Sequence, residues 1–288
     1  MAGKDRWPEL CEFVSEDDGL PVRKVGSWTE DKLFFWHRYI EITTTAMVGH
    51  PKWQAGLVYV DLFAGPGVCE IEGSGKRIPG SPLIAAYAPK PFERIIACEL
   101  DPRLAAACAE RLSRIGVSDR QKVIPGDCNE KVGEVAGEIP RGALTLAFID
   151  PTGLHARFEM VANLSAKGRV DLLVLFADAY DIVRNVELYR QDPQSNLDQV
   201  LGPHSNWRSN WDALETRSSG KIRKMFAEIY RGQLRDHLGY KVFGEYTIKG
   251  PKGALYRLIY ASKHERGLEF WEKITAKDKN RQKNLDLH

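Results

Sequence analysis

Cysteine is scarce in this sequence, and its spacing argues against the usual metal and disulfide frameworks. The 288 residues contain five cysteines: Cys11, Cys69, Cys98, Cys108 and Cys128. The number is odd, and no two of them have C-x-x-C spacing, which disfavours a zinc site and a disulfide-stabilised secreted fold. We therefore predict that no metal is bound and that the protein works in the reducing cytoplasm.

Long apolar runs are also missing. No stretch approaches the roughly 18 to 20 apolar residues that cross a bilayer. Residues 1–12 are charged and lack the apolar core of a signal peptide. The chain has 43% hydrophobic and 28% charged residues, which is typical of a globular domain. We predict neither membrane contact nor export.

Charge of the two signs is nearly balanced, at a net +2, but it is unevenly distributed. Residues 217–288 hold 17 Lys and Arg against 8 Asp and Glu, a net charge of +9, which leaves −7 for residues 1–216. A basic rear half favours an anionic partner, and a nucleic acid is our hypothesis. The alternative is a solvated surface with a frayed basic tail.

Apolar segments alternate with helical patterns along much of the chain. Near-continuous apolar runs predict strands that are buried on both faces, at residues 57–60, 94–98, 121–124, 144–149 and 171–176. The helical patterns between them indicate βαβ units and a parallel sheet. Two late strands, 241–248 and 254–261, flank a turn rich in glycine and predict an antiparallel hairpin.

This order of elements predicts an α/β fold: a seven-stranded Rossmann-like sheet of the methyltransferase type, mostly parallel with a late antiparallel hairpin, flanked by helices. A dehydrogenase sheet would instead continue with a sixth parallel strand. We expect a single domain over residues 28–274, with a helical insertion at 178–215. An irregular segment, 1–27, precedes it, and a basic tail, 275–288, follows it.

The strongest chemical signal follows the first predicted strand, where an acid leads into a Gly-x-Gly turn. Glycines permit positive φ and close approach of a ligand at the tip of a strand. A dinucleotide site would need a third glycine and no acid beside the pyrophosphate. S-adenosylmethionine instead carries a sulfonium and an ammonium, which a carboxylate suits; the alternative is an ordinary turn. The residues predicted to bind this cofactor here are Asp61, Phe63, Ala64, Gly65 and Gly67.

Acidic residues after the next two strands extend the predicted cofactor site. Glu99 can accept both ribose hydroxyls; alternatively it caps the following helix, as we expect of Asp101. Asp127 can take the adenine amino group, with the backbone N–H of Cys128 on a ring nitrogen. The alternative for Asp127 is an Asx-turn.

The segment Asp150-Pro151-Thr152-Gly153 follows the fourth strand, where groups that face a transferred methyl are expected. Asp150 can orient or deprotonate the acceptor and Pro151 fixes the turn, so both are predicted to be catalytic. In the alternative, Asp150 only binds the cofactor. No aromatic residue is present here to stack on a flipped base, which disfavours methylation of an exocyclic base nitrogen. His155 is close enough in sequence to reach the same pocket.

Several of these segments in combination resemble the three-Cys-motif partner family, over about residues 29–274. They are Asp61-Leu-Phe-Ala-Gly-Pro-Gly-Val68, Gly80-Ser-Pro-Leu83, Gly126-Asp-Cys-Asn129, Phe148-Ile-Asp-Pro-Thr-Gly153, Asp171-Leu-Leu-Val174 and Tyr260-Ala-Ser-Lys-His264. The resemblance implies a class I methyltransferase-like fold. It also implies partnership with a radical-type protein that carries a three-cysteine cluster, so the cysteines here need not form a site.

The function predicted from these features is S-adenosylmethionine-dependent methyl transfer to a nucleic acid, RNA before DNA, held by residues 217–288. Trp207 and Trp211 are candidates for base stacking, or else for local packing. The alternative is a non-catalytic or cofactor-sensing subunit that docks the three-cysteine protein through an exposed apolar face of residues 28–47. A nuclease is disfavoured because no convincing cluster of metal-binding carboxylates occurs.

Overall fold

The computed structural model describes the backbone of residues 6–251 and 253–285, and the side chains of residues 6–251 and 253–275. The strands are β1 (Arg23–Val25), β2 (Leu57–Asp61), β3 (Val68–Ile71), β4 (Arg77–Pro79), β5 (Arg94–Glu99), β6 (Gln121–Pro125), β7 (Leu144–Ile149), β8 (Val170–Phe176), β9 (Val242–Gly250) and β10 (Gly253–Ser262). The helices are α1 (Trp7–Phe13), α2 (Trp28–Met47), α3 (Ser81–Ala86), α4 (Pro102–Arg114), α5 (Cys128–Gly137), α6 (Phe158–Ser165), α7 (Val183–Gln191), α8 (Asn196–Leu201), α9 (Trp207–Asp212), α10 (Ser219–Leu238) and α11 (Glu265–Leu285). A π-helical turn, Asp178–Ile182, follows β8.

Seven strands form the central sheet in the order β6-β5-β2-β7-β8-β10-β9. The five strands from β6 to β8 in that order are parallel, and β10 pairs antiparallel with both β8 and β9. The predicted fold class is thereby confirmed. Because the chain leaves β2 toward β5 on one side and reaches β7 on the other, the carboxyl end of β2 lies at the point where strand order reverses, the usual position of a ligand crevice.

Helices cover both faces of this sheet, as the continuous apolar strands require. On one face Trp36 of α2 stacks on Phe148 of β7, with ring centroids 4.8 Å apart; on the other, Tyr230 of α10 stacks on Phe176 of β8 at 5.0 Å. Each such aromatic side chain contributes roughly 1.5–3 kcal/mol by its burial. The interpretation that residues 28–47 expose an apolar docking face is wrong, because the large apolar side chains of α2 are buried or half-buried against the sheet and its neighbours.

The N-terminal segment, expected to be irregular, contains α1 and β1. Strand β1 joins β3 and β4 in a second, three-stranded sheet, where Arg23 lies opposite Cys69. Trp7 of α1 packs edge-on against Phe34, with 5.6 Å between ring centroids. The sequence did not reveal β1 because a three-residue strand has no period of its own, and its partner is distant in the chain.

Residues 178–215 contain the π-helical turn, α7, α8 and α9, so the helical character predicted for this stretch is present. The predicted basic tail, 275–288, is described only in part. Its backbone is described as far as Leu285, where α11 ends, and its side chains after Thr275 lie outside the described residues. Among the described residues no helix is both long and apolar enough to cross a bilayer. The division of the chain into domains stays a prediction.

Candidate functional site

The turn after β2 is a rigid backbone surface. Gly65 and Gly67 have φ of 64° and 85°, which glycine adopts without strain. The N–H of Ala64 donates to the carbonyl of Cys98 in β5 (3.0 Å), and the N–H of Gly80 donates to the carbonyl of Gly67 (2.7 Å). The turn is therefore anchored on both sides at the carboxyl end of the central strand.

Asp61, predicted to contact a cofactor cation, lies beneath this turn and is fully buried. Its carboxylate accepts hydrogen bonds from the Tyr59 hydroxyl (3.0 Å) and the Phe63 N–H (3.3 Å), and a further one from the Ser81 hydroxyl. Burial raises the pKa of Asp61 to about 7, because the charged form has lost its water. Since these internal donors occupy the carboxylate, Asp61 supports the turn from below instead of lining the cleft beside it.

Glu99, the predicted ribose ligand, lies at the end of β5 beside the same turn. Its Oε2 accepts from the N–H of Gly65 (2.8 Å) and from the guanidinium of Arg23 (3.1 Å), and its Oε1 accepts from the N–H of Asp101 (3.1 Å). Asp101 caps α4, as expected, by accepting from the N–H of Arg103 (2.8 Å). Ribose hydroxyls that donate to Glu99 would therefore have to share its carboxylate with these protein donors or displace one of them.

A cleft of about 300 Å³ opens beside the turn. It brings together these predicted residues: Phe63, Ala64, Gly65, Gly67, Asp150 and Pro151. Asp150 follows β7, and its carboxylate accepts a hydrogen bond from Nζ of Lys32 in α2 (2.5 Å). The two side chains are only 17% and 11% exposed, so this ion pair is weakly screened by water. The cleft wall thus carries a carboxylate together with its counterion.

Asp127 and Cys128, the predicted adenine contacts, lie at the start of α5 and are not among the described residues that line the cleft. Asp127 accepts from the backbone N–H (2.9 Å) and the side-chain amide (2.8 Å) of Asn129, which is the Asx-type geometry given as its alternative. Asn129 also bonds the carbonyl of His155 in the loop after β7. The adenine contact stays a prediction.

The N-terminal strap, residues 17–25, crosses the turn and was missed by the sequence analysis. Arg111 of α4 is buried, and its guanidinium donates to both carboxylate oxygens of Asp18 and to the carbonyls of Pro21 and Pro66, each at 2.7 Å. This bidentate pairing holds the pKa of Asp18 well below its ordinary value. The sequence signal was an arginine in the buried stripe of α4, where apolar residues are the rule.

Three further residues of the cleft, Arg23, Lys32 and Tyr256, were also not predicted. A lysine on the same helical stripe as Trp36 and Tyr39 was a usable signal, because an ammonium among buried rings needs a partner. Arg23 and Tyr256 gave no local signal, since β1 and β10 bring them to the cleft only through long-range pairing.

An aromatic rim borders the cleft on the side of β8 and β10. The exposed ring of Tyr180, in the π-helical turn, lies 5.7 Å from the ring of Tyr256. The guanidinium of Arg184 lies over the ring of Tyr180, 4.9 Å from its centroid. Single π-helical turns recur at functional sites, and this one presents a flat ring with a cation beside the mouth of the cleft.

Trp207 and Trp211 do not belong to this rim. Both are buried and pack against Phe226, at ring distances of 5.8 Å and 6.5 Å. Arg208 and Arg217 lie over their rings, each 4.4 Å from the centroid. The hypothesis that these tryptophans stack on bases is wrong because packing already occupies the rings, and the local-packing alternative is correct.

Ligands for a metal do not converge in this region. Within the described side chains, no group of three or more His, Cys, Asp or Glu is arranged to hold a metal ion. The five cysteines are free thiols. Cys69 lines the cleft, and burial raises its pKa to about 11, so it is a poor nucleophile near neutral pH.

The strand order and the crevice at the tip of β2 define the fold as the Rossmann-like fold of class I methyltransferases. An O-methyltransferase from Bacillus cereus, solved in complex with SAH, matches this chain with a TM-score of 0.50 at 13% identity, over 91% of this chain and 93% of that one. This likeness confirms the fold.

Two further solved structures resemble the chain less closely in shape. The cofactor-bound protein Rv0187 from MTB has a TM-score of 0.46 at 15% identity, over 92% of this chain and 93% of that one. The O-methyltransferase TomG from Streptomyces achromogenes, in complex with SAM, has a TM-score of 0.42 at 12% identity, over 92% and 100%. No protein-family profile and no curated protein matches the sequence. Membership of the three-Cys-motif partner family therefore stays a prediction.

Proposed function

We propose that this protein is an S-adenosylmethionine-dependent methyltransferase. The observation that carries the proposal is the glycine turn at the carboxyl end of β2, which opens onto a cleft with the Asp150–Lys32 pair on its wall. The methyltransferases that share the fold, among them the Bacillus cereus O-methyltransferase solved with SAH, support the same cofactor.

The charges around the turn fit this cofactor, which carries a sulfonium, an ammonium and a carboxylate. Asp150 supplies a carboxylate for the cationic groups, and Asp61 adds a buried acid below the turn. Glu99, beside the turn, is kept as the ribose ligand. Arg23 and Lys32 line the same cleft and suit the cofactor carboxylate. A pyrophosphate-bearing dinucleotide fits worse, because it would bring negative charge close to these acids.

For methyl transfer the protein has two main tasks: to align the acceptor with the methyl group and to accept the acceptor's proton. The cofactor supplies an electrophilic methyl group on its sulfonium. Asp150 stands on the cleft wall, where it can accept the proton of an acceptor O–H or N–H, and Lys32 orients its carboxylate. Pro151 fixes the backbone beside it, and the surrounding walls align the reactants and exclude water.

Cofactor binding is tested by calorimetric titration of the purified protein with S-adenosylmethionine and SAH. We expect saturable binding that weakens about tenfold in Glu99→Gln, because a hydrogen bond to a charged group contributes about 1.5–3 kcal/mol. Glu110→Gln, an exposed carboxylate on α4, is the matched control and should bind as the wild type does. A folded protein that binds neither compound would overturn the proposal.

For the acceptor we propose RNA in preference to DNA. The support is the net charge of +9 over residues 217–288. Transfer of a labelled methyl group to separated RNA, DNA and protein fractions identifies the acceptor class, and gel shifts at rising salt measure the electrostatic part of binding. Incorporation into protein alone, with no salt-dependent binding of RNA, would refute this choice.

A second candidate is a subunit that binds the cofactor without turnover and docks a three-cysteine radical-type protein. It is favoured by one observation: Glu99 and Asp150 are each already paired with a cation of the protein itself. Cofactor binding without methyl transfer to any fraction, together with co-purification of such a partner, would favour this candidate over the enzyme.

A further inference from the structure

A second cavity, of about 330 Å³, lies at the opposite end of the central sheet. Leu144 and Val170, at the amino ends of β7 and β8, contribute to its walls with Tyr39 and Met47 of α2. The cleft lies at the carboxyl ends of the same strands, and a six-residue strand spans roughly 20 Å. The two sites share no residue.

The rim of this second cavity is positively charged. It carries Lys52, Arg169, Lys263 and Arg266. The two histidines of the rim, His50 and His264, each accept a backbone N–H at Nδ1. The one acid among its described lining residues is Asp171, whose carboxylate accepts from the hydroxyls of Tyr260 (3.0 Å) and Ser262 (2.7 Å). Within the described side chains, none of the rim cations forms an ion pair with a carboxylate. The described lining therefore carries four cations against one acid, which gives a net positive field.

An aromatic wall stands beside these cations. The ring of Trp53 has the ammonium of Lys52 at 5.3 Å and the guanidinium of Arg169 at 4.8 Å from its centroid. The indole Nε1 of Trp53 is buried and has no hydrogen-bond partner among the described residues. The two cations thus lie over the ring of Trp53, and its indole N–H is an unused donor among the described residues.

The first turn of α11 forms a third side of the cavity. Gly267 is essential to this approach, because a Cβ at that position would lie 1.8 Å from the Tyr260 hydroxyl. The glycine lets the helix start directly against the floor. The amino end of a 21-residue helix carries partial positive charge, which adds to the field of the rim.

We propose that this second cavity binds a small molecule that joins an aromatic or other apolar body to an anionic head, such as a phosphate, sulfonate or carboxylate. The body lies on the apolar floor formed by Tyr39, Met47 and Leu144. The head meets Lys52, Arg169, the indole N–H of Trp53 and the amino end of α11. The volume is within the range of small-molecule pockets. The proposal does not depend on the methyltransferase function, because the cleft contributes nothing to this site.

The probe for the test is anilinonaphthalenesulfonate, which has the stated chemistry and becomes fluorescent when bound, with uncharged phenylnaphthylamine as its partner compound. We expect one saturable sulfonate site in the full-length protein. The double variant Lys52→Gln/Arg169→Gln should weaken it at least about tenfold, because the anionic head loses both of its cationic partners. The uncharged compound should bind the variant as it binds the wild type. The matched control, Lys122→Gln/Arg157→Gln, removes two exposed cations elsewhere and should change neither affinity.

Competition experiments test which class of ligand the second cavity binds and whether the probe binds there or in the cleft. Adenosine monophosphate should displace the probe at lower concentration than inorganic phosphate does, because it adds a planar body to the anion. Saturating S-adenosylmethionine should leave the probe in place. Equal affinities in the double variant and the control, displacement by S-adenosylmethionine, or displacement only by a phosphorylated oligonucleotide would each overturn the proposal.

Discussion

The two ends of the central sheet handle charge in opposite ways. At the carboxyl end, Arg23 and Lys32 line the cleft, and both are held in ion pairs: Arg23 with Glu99 beside the turn, and Lys32 with Asp150 on the cleft wall. At the amino end, Lys52 and Arg169 border a cavity whose one acid among the described lining residues, Asp171, is hydrogen-bonded to Tyr260 and Ser262. A ligand at the cleft must exchange partners with the protein, whereas a ligand at the second cavity supplies a partner that is missing. The first arrangement suits a reactive zwitterion, and the second suits a bound anion.

The largest expected effect separates the roles of two acids at opposite ends of the sheet, Asp150 and Asp171. With the acceptor found in the labelled-methyl screen, Asp150→Asn should slow methyl transfer 10² to 10⁴-fold, the usual contribution of a positioned proton acceptor. Asp171→Asn, at the other end of the sheet, should leave the rate within threefold of the wild type, on the order of 0.6 kcal/mol. Rates are compared at cofactor concentrations that titration shows to be saturating for each variant.

If Asp150→Asn transfers methyl groups at the wild-type rate, Asp150 is only a structural partner of Lys32. An exposed carboxylate variant, Asp119→Asn, serves as the control for general effects of substitution.

The next prediction concerns Asp61, whose pKa is raised to about 7 by burial. Because the folded state then holds this proton more tightly than the unfolded chain, the stabilisation is complete below about pH 4 and is lost as pH rises through about 7. The full change is on the order of 4 kcal/mol. Urea unfolding from pH 4 to pH 8 should therefore show the wild type losing stability relative to Asp61→Asn as pH rises.

Asp171 has a pKa of about 6 in both proteins, so its own contribution cancels in this comparison. Parallel stability curves for the wild type and Asp61→Asn would mean that Asp61 is not protonated in the folded protein at mildly acidic pH.

A smaller effect is expected for the arginine that fastens the N-terminal strap. Arg111→Ala should lower the free energy of unfolding by about 3 kcal/mol, because Asp18 and two carbonyls lose a buried cation. Arg103→Ala, on the same helix but exposed and away from the strap, should cost less than about 0.5 kcal/mol. Equal losses in the two variants, measured by urea unfolding, would show that the strap is not held by Arg111.

Much of the fold could be predicted from sequence because its signals are local. Apolar runs, glycines and helix caps such as Asp101 lie within a few residues of the structure that they specify, so the seven strands of the central sheet and the glycine turn were located correctly, but β3 and β4 were not. Strand β1 and the strap were not, because a partner 46 residues away creates them, as the pairing of Arg23 with Cys69 shows.

The candidate site, too, has features that local sequence predicts and features that depend on tertiary packing. The backbone position of Asp61, Glu99 and Asp150 at strand ends follows from periodicity, but their partners do not. Sequence could not tell that Arg23 and Lys32 would neutralise two of these acids, since both come from elements that reach the cleft through tertiary packing. For the same reason it could not separate buried tryptophans from stacking ones.

The smallest predicted effect is the sharpest test of the contrast between the two ends. Arg23→Ala leaves Glu99 with its two backbone donors but without its cation, and Arg23 is partly exposed, so we expect a loss of about 1 kcal/mol in the free energy of unfolding. Arg169→Ala removes a cation that has no carboxylate partner among the described side chains, and its loss in the free energy of unfolding should stay below about 0.5 kcal/mol.

In the presence of saturating anilinonaphthalenesulfonate the order of the two losses should reverse, so that Arg169→Ala becomes the less stable variant. The bound anion stabilises the wild type and Arg23→Ala by mass action, and Arg169→Ala gains less because it binds the probe more weakly. Thermal melting with and without the probe measures both orders. If the order of the two losses is unchanged by the probe, Arg169 does not contribute to anion binding at the second cavity.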